Sequence, residues 1–105
     1  MKTVISSTGD NPKAVFDLRF GRAAWFCLYD EESKKVSFFE NEFKDAAQGA
    51  GSKVVEMLVG MGVTRAISGD FGPKAKDLLE RFKVQMVILP DENKTVQDII
   101  NQLKQ

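Results

Sequence analysis

The sequence contains no histidine and only one cysteine, Cys27, so two common sources of metal ligands are almost missing. Histidine is also the usual acid–base group near neutral pH. Without it, neither a Ser-His nor a Cys-His catalytic pair can form. A single cysteine also excludes an internal disulfide. Any metal would therefore depend on Cys27, methionines, carboxylates or ligands that a cofactor brings with it.

Net charge and long apolar runs are absent as well. Lys and Arg total 15, and Asp and Glu also total 15. No global field therefore draws the chain to nucleic acid or to an anionic membrane. No stretch approaches the roughly 20 apolar residues that span a bilayer. Residues 1–10 lack the apolar centre of a secretory signal, so we expect a cytoplasmic protein without nucleic-acid or membrane partners.

What the sequence does contain is a regular alternation of strand and helix patterns. The 105 residues, 43% of them hydrophobic, fit one domain over residues 1–105. Short β-branched or aromatic runs bounded by turn residues predict five strands and a hairpin turn at 31–34. The predicted strands are residues 3–7, 23–30, 36–41, 63–68 and 84–90.

Three segments have apolar residues at helical spacing, and each predicts a helix with one face toward the core. Thr95 and Asp98 have the spacing of a capping box at the start of the last one. The core-facing residues are Val54, Val55, Leu58 and Met61, then Ala75, Leu78, Leu79 and Phe82, then Val96, Ile99, Ile100 and Leu103.

The element order βββαβαβα predicts an α/β fold, with a mixed five-stranded sheet and helices on both faces. Following the direction of each strand brings four connections to the same edge of the sheet: residues 8–22, the segment before Gly51, residues 69–73 and residues 90–91. The carboxyl ends of parallel strands are where such sheets commonly bind ligands. We therefore expect a site at this edge.

Two glycine-containing segments precede helices at that edge, residues 49–51 (GAG) and residues 69–73 (GDFGP). Free N–H groups and the helix dipole favour an anion there. Arg19 and Arg22, in the preceding loop DLRFGRA, would add charge-assisted hydrogen bonds. The alternative is structural: glycines shape the turns, and the arginines form surface ion pairs, for example with Asp17.

Other reactive residues favour packing over chemistry. Strand alternation puts Cys27 on the face of Trp25 and Tyr29 in an apolar run, so we expect a buried, inert thiol, with metal ligation as the less favoured alternative. Three methionines at apolar positions are predicted to fill the core: Met57, Met61 and Met86. The first strand has no carboxylate, which argues against two-metal nuclease chemistry. We expect no enzyme activity.

Four stretches, in order, resemble the dinitrogenase iron-molybdenum cofactor biosynthesis family: RFGRAAWFCLYD, GAGSKVVEMLVGMGV, AISGDFGPKA and FKVQMVIL. The resemblance runs from Thr3 to about Leu89. It implies a three-layer ribonuclease H-like fold without nuclease activity, in a small stand-alone member. It also implies that the protein binds, carries or protects a molybdenum- or iron-containing cluster, with partner proteins in cluster assembly.

The chain departs from the family at one position of the loop motif. Where the family commonly reads His-Phe-Gly-Arg-Ala, this sequence has Arg19, followed by a matching Phe-Gly-Arg-Ala. A guanidinium stays protonated and offers no lone pair, so it cannot replace imidazole as a metal ligand. It can still hold an anion. The predicted cofactor-binding residues are Arg19, Phe20, Gly21, Arg22, Gly49, Gly51, Gly69 and Gly72.

Two functions remain open at this point. The first is a non-catalytic binding or carrier protein for an anionic molybdenum or iron–sulfur cluster, or a related oxoanion. The second is a protein-interaction or regulatory domain that has lost cofactor binding together with the histidine. In the second case exposed apolar residues such as Phe43 or Phe71 would form the working surface.

Overall fold

The computed structural model describes residues 1–104, and its elements follow the predicted order βββαβαβα. β1 and β3 each begin one residue earlier than predicted. The elements are β1 (Lys2–Ser7), β2 (Trp25–Asp30), β3 (Lys35–Glu40), α1 (Ala50–Gly60), β4 (Val63–Ser68), α2 (Pro73–Arg81), β5 (Gln85–Ile88) and α3 (Val96–Leu103).

The five strands form one mixed sheet in the order β3-β2-β1-β4-β5. β2 is antiparallel to both β1 and β3, whereas β4 is parallel to both β1 and β5. β1, β3, β4 and β5 therefore point the same way, as the direction of the chain predicted. Ser7 at the end of β1 lies opposite Trp25, which in turn lies opposite Glu40 at the end of β3. The loops that follow these strands start from one edge.

Helices cover both faces of the sheet, which confirms the predicted three-layer α/β arrangement. α1 and α2 pack on one face through a core that includes Val54, Leu58 and Leu79. α3 packs on the other face through Ile99 and Ile100. Along residues 1–104, no helix has the length and apolar character that a bilayer crossing requires.

Alternation along β2 divides its side chains between the two cores. Phe26 belongs to the α1/α2 core, and Cys27 and Tyr29 belong to the α3 core, as predicted. The three methionines are partly buried against the α1/α2 core, which confirms that they fill space there; they are Met57, Met61 and Met86.

Two strands are shorter than predicted. β2 begins at Trp25 rather than at residue 23, because the carbonyls of Ala23 and Ala24 accept hydrogen bonds from Asn41 instead of from a neighbouring strand. β5 ends at Ile88 rather than at residue 90. Pro90 has no N–H and cannot continue a ladder.

The prediction that Phe82 faces the core is wrong. α2 ends at Arg81, and Phe82 is the C-cap residue, with half of its surface exposed. The next residue, Lys83, has φ 58°, a left-handed conformation that ends the helix. The apolar spacing in the sequence continues to Phe82, one residue beyond the last residue of the helix.

The capping box predicted at α3 is present. The Thr95 hydroxyl accepts from the Asp98 N–H at 3.2 Å, and the Asp98 carboxylate accepts from the Thr95 N–H at 2.9 Å. The hydrogen bond from the Thr95 N–H, followed by the nearby Thr95 hydroxyl, lowers the pKa of Asp98. Two of the free N–H groups at this helix start are thereby satisfied within the chain.

We predict that Thr95→Ala lowers the free energy of unfolding by about 1 kcal/mol, because the Asp98 N–H loses its acceptor. Urea denaturation followed by circular dichroism measures the change. The control is Gln102→Ala at an exposed position of the same helix, which should be neutral or slightly stabilising. Equal stability of Thr95→Ala and the wild type would contradict the role of the cap.

Candidate functional site

An open cleft of about 330 Å³ lies at the carboxyl edge of the sheet. It is lined by residues 21–22 from the loop after β1, residues 49–52 at the start of α1, and residues 71–75 at the start of α2. Three connections that the chain direction predicted to meet therefore share one cavity. Its charged lining residues, within the described chain, are Arg22 and Lys74, so the cleft is bordered by positive charge without a carboxylate.

Both helices that reach the cleft begin without a side-chain cap. The N-cap positions of α1 and α2 are Gly49 and Gly72, and among residues 1–104 no side chain caps either of these two starts. Neither first turn contains an acidic residue. The early N–H groups of a helix have no partner within the helix. In contrast to α3, the early N–H groups of these two helices have no side-chain cap at the cleft edge. α2 contributes fewer donors than α1, because Pro73 has no N–H and the Gly72 N–H donates to Asp70 Oδ1 at 3.1 Å.

Both cap glycines have backbone conformations that other residues rarely adopt. Gly49 has φ 71° and ψ 23°, which is left-handed helical. Gly72 has φ 76° and ψ 157°, a region that is essentially restricted to glycine. Nothing lies within 4 Å of the place that a Cβ would take at either position. Backbone geometry, rather than crowding, therefore explains these two residues.

Crowding explains two other glycines of the site. A Cβ on Gly21 would lie 2.7 Å from the backbone nitrogen of Gly51, so the loop lies directly on the first turn of α1. A Cβ on Gly51 would lie 3.2 Å from the Cβ of Ala75, which brings the starts of α1 and α2 together. The width of the cleft depends on these close approaches.

Arg22 borders the cleft and also holds a neighbouring loop. Its Nη1 donates to the carbonyl oxygens of Lys44 at 2.9 Å and Ala46 at 2.6 Å. The residue is exposed, so its positive charge remains available at the cleft rim. Arg22 thus makes structural hydrogen bonds within the chain and also lies in the cleft lining.

Arg19 lies outside the cleft lining and pairs with Asp17. Two nitrogens of the guanidinium, Nε and Nη2, each lie 3.1 Å from a different oxygen of the buried Asp17 carboxylate. The hydrogen bonds to Asp17 and its charge raise the pKa of Arg19. The alternative weighed for this arginine, an ion pair with Asp17, is the arrangement present.

The other two predicted residues outside the lining are Phe20 and Gly69. Phe20 is buried and packs its ring against Phe26 and Phe71, with centroids 5.8 and 4.9 Å apart. Gly69 lies under Leu18, whose Cα would be 2.8 Å from a Cβ at that position. The structure brings five of the eight predicted residues together in the cleft: Gly21, Arg22, Gly49, Gly51 and Gly72.

Sequence reasoning did not single out three residues of the site. Ser52 and Lys74 line the cleft from the first turns of α1 and α2. Their position directly after the predicted glycine segments was the signal that could have identified them. Asn41 holds the loop after β1 by donating to the carbonyl oxygens of Gly21 and Ala23. Nothing in the sequence distinguishes it from any polar residue that ends a strand.

Cys27 is separated from the cleft by the sheet. It is fully buried in the α3 core, and the loss of solvation raises its pKa to about 12. Within residues 1–104, no group of three or more His, Cys, Asp or Glu side chains could hold a metal ion. The side chains of the cleft lining that can donate hydrogen bonds are those of Arg22, Ser52 and Lys74.

The expectation that Phe71 is an exposed working surface is wrong. Phe71 is buried against Phe20, and its exposed fraction is 5%. Phe43 is half-buried and packs against the α1/α2 core. Both rings fill space behind the loops of the carboxyl edge.

Comparison with known proteins agrees with this arrangement. A family model described as dinitrogenase iron-molybdenum cofactor matches residues 1–105. The apo form of the orange protein from Desulfovibrio gigas is 24% identical with a TM-score of 0.88, covering 98% of this chain and 86% of that one. A Thermotoga protein of the DUF35 family, whose structure was solved by NMR, is 35% identical with a TM-score of 0.83 and the same coverage, 98% and 86%. No curated protein matches the sequence.

We predict that Gly21→Ala destabilises the protein by roughly 1–3 kcal/mol, because the new methyl group would collide with the backbone of Gly51. The matched control is Gly60→Ala at the last residue of α1, where a Cβ meets open space. Alanine there should leave stability unchanged or raise it by up to ~1 kcal/mol. Urea denaturation of both variants tests the close approach, and equal effects would contradict it.

For Cys27 we expect almost no alkylation by iodoacetamide in the folded protein at mildly alkaline pH. Its pKa of about 12 leaves little thiolate, and the side chain is fully covered. In denaturant the same thiol should react at least roughly a hundred-fold faster. Mass spectrometry of quenched samples follows the reaction. Similar rates in the folded and unfolded protein would show that Cys27 is accessible after all.

Proposed function

The chain belongs to the dinitrogenase iron-molybdenum cofactor family, and from that premise we propose that it is a non-catalytic binding or carrier protein. Its cargo is an anionic molybdenum- or iron–sulfur-containing species or a related oxoanion, held in the cleft. One observation carries the proposal: two uncapped helix starts open into a cleft that Arg22 and Lys74 border and that no described carboxylate lines.

The physical argument begins with the helix starts. Each provides early N–H donors and the positive end of a helix dipole, and together they favour negative charge at one place. The donors belong to fixed backbone, so they lose little freedom when an anion binds. Arg22 and Lys74 add net positive charge at the rim, which makes the affinity depend on ionic strength.

The same residues set the kind of contact that the cargo makes. The lining side chains offer hydrogen-bond donors, from Arg22, Ser52 and Lys74, but no thiolate, imidazole or carboxylate. A cluster in this cleft would therefore keep its own sulfide or oxide ligands, and the protein would donate hydrogen bonds to those ligands. Such binding releases its cargo without breaking a protein–metal bond, which suits a carrier that passes the anion to a partner protein.

The lining also argues against catalysis. General acid–base chemistry needs a group with a pKa near the working pH. The described residues that line the cleft include no histidine, carboxylate or cysteine, which are common general acids and bases. Binding without turnover is the function that these residues fit.

A charge reversal at the cleft provides the test of this function. Tetrathiomolybdate and molybdate, titrated into the ¹⁵N-labelled wild type, should shift the amide signals of residues 49–52 and 74–75. Lys74→Glu should weaken the binding by about ten-fold or more, because it puts a negative charge beside the anion. The matched control is Lys76→Glu, which makes the same change of net charge at an exposed position of α2 outside the lining.

The Lys76 variant should bind nearly as tightly as the wild type. Raising the salt concentration should weaken anion binding by the wild type more than anion binding by the Lys74 variant. The variant has already lost part of the electrostatic attraction that salt screens. Amide shifts scattered over the surface, or equal weakening by the two reversals, would contradict binding in the cleft.

A further inference from the structure

Asn41 is a buried polar residue next to the cleft, and both the Nδ2 and the Oδ1 atoms of its side chain form hydrogen bonds. It follows the last residue of β3, and its exposed fraction is 1%. Its Nδ2 donates to the carbonyl oxygens of Gly21 and Ala23, each at 2.9 Å. Its Oδ1 accepts from the N–H of Phe43 at 3.0 Å. Both donors of the amide and one acceptor are therefore used.

These bonds form half of a reciprocal arrangement between two loops, which we name the loop clasp. Asn41 belongs to the connection before α1 and holds carbonyls of the connection before β2. Arg22 belongs to the connection before β2 and donates to the carbonyls of Lys44 and Ala46 before α1. Each loop thus contributes one side chain that fixes the backbone of the other.

The loop clasp determines where Gly21 lies. The Gly21 carbonyl is held by Asn41, and the Cα of the same residue presses on the first turn of α1, with 2.7 Å from a Cβ position to the Gly51 nitrogen. A small displacement of the loop would either cover the Gly51 N–H or leave a gap beside it. The position of this loop therefore sets how the first turn of α1 meets the cleft.

The chemistry of the clasp requires a carboxamide. Two carbonyl oxygens face the Nδ2 atom and one N–H faces the Oδ1 atom, so the amide has only one satisfactory orientation. Aspartate has the same shape but would place an oxygen against the two carbonyls and bury a charge. Serine provides a single donor and cannot reach both oxygens.

We infer that Asn41 is a positioning residue of the cleft. It does not line the cavity, yet it fixes Gly21 and Arg22 against the start of α1 and so controls the affinity for the anion. The part of this inference that concerns affinity rests on the proposed function, whereas the part that concerns the loop and the Gly51 amide does not.

The experiment compares Asn41→Ala and the milder Asn41→Ser with a control that also loses buried hydrogen bonds. The control is Thr3→Val. Thr3 lies at the opposite edge of the sheet, where its hydroxyl donates to Glu31 at 3.2 Å and accepts from Arg65 at 3.1 Å. Melting temperatures identify the Asn41 and Thr3 variants of similar stability. Amide spectra and tetrathiomolybdate titrations are then compared at a temperature at which all are folded.

We expect both Asn41 variants to shift the amide signals of Gly21, Arg22 and Gly51, and to bind tetrathiomolybdate at least about ten-fold more weakly, roughly 1.4 kcal/mol. Thr3→Val should leave those signals and the affinity as in the wild type. If the Asn41 variants bind like Thr3→Val, or if their shifts stop at the residues bonded to Asn41 and leave Gly51 unchanged, the inference is overturned.

A wild type that binds no anion would remove the proposed function and the claim about affinity. The amide spectra would still decide whether Asn41 positions the first turn of α1, because that measurement needs no ligand. The two failures are therefore distinguishable.

Discussion

The close approach of Gly21 to the first turn of α1 is the constraint on which the carboxyl edge of this protein depends. No side-chain atom fits between this loop and the backbone of Gly51. Because Gly51 also approaches Ala75, one set of contacts fixes the loop after β1 and the starts of two helices. The cleft is the space that these three segments leave between them. Its shape therefore follows from the close packing of backbone atoms at Gly21 and Gly51.

The three helix starts show how the fold divides stability from binding. α3 has a complete capping box from Thr95 and Asp98, and its buried residues belong to the hydrophobic core on the second face of the sheet. α1 and α2 begin at glycines, and within the described residues neither has a side-chain cap. A Ser, Thr, Asp or Asn at those two positions would satisfy an N–H group and stabilise the helix. Within the described residues, the early N–H groups of α1 and α2 therefore have no side-chain cap, whereas the capping box of α3 uses two N–H groups within the chain.

Much of this arrangement follows from the sequence, because periodicity and turn residues predict the order of the elements along the chain and the direction of each strand. The spacing of Thr95 and Asp98 gave the cap, and alternation gave the burial of Cys27. The errors arise where a tertiary contact decides the outcome. Phe71 looks like a loop aromatic until the ring of Phe20 is placed beside it. Asn41 reads as an ordinary residue at a strand end, since its partners are carbonyls about 20 positions away in the chain.

The departure of this chain at Arg19 has a different meaning once the loop is seen in place. The guanidinium satisfies the buried Asp17 carboxylate, which also accepts from the backbone N–H of the same arginine. The guanidinium is thus engaged in an ion pair with Asp17, and the residue stays outside the cleft lining. The rest of the motif acts at the site through Gly21, which allows the close approach, and Arg22, which joins two loops at the rim. An arginine at position 19 is therefore compatible with the cleft, and under the proposed function an anion there would be held by backbone donors and positive charge rather than by a metal ligand from the loop.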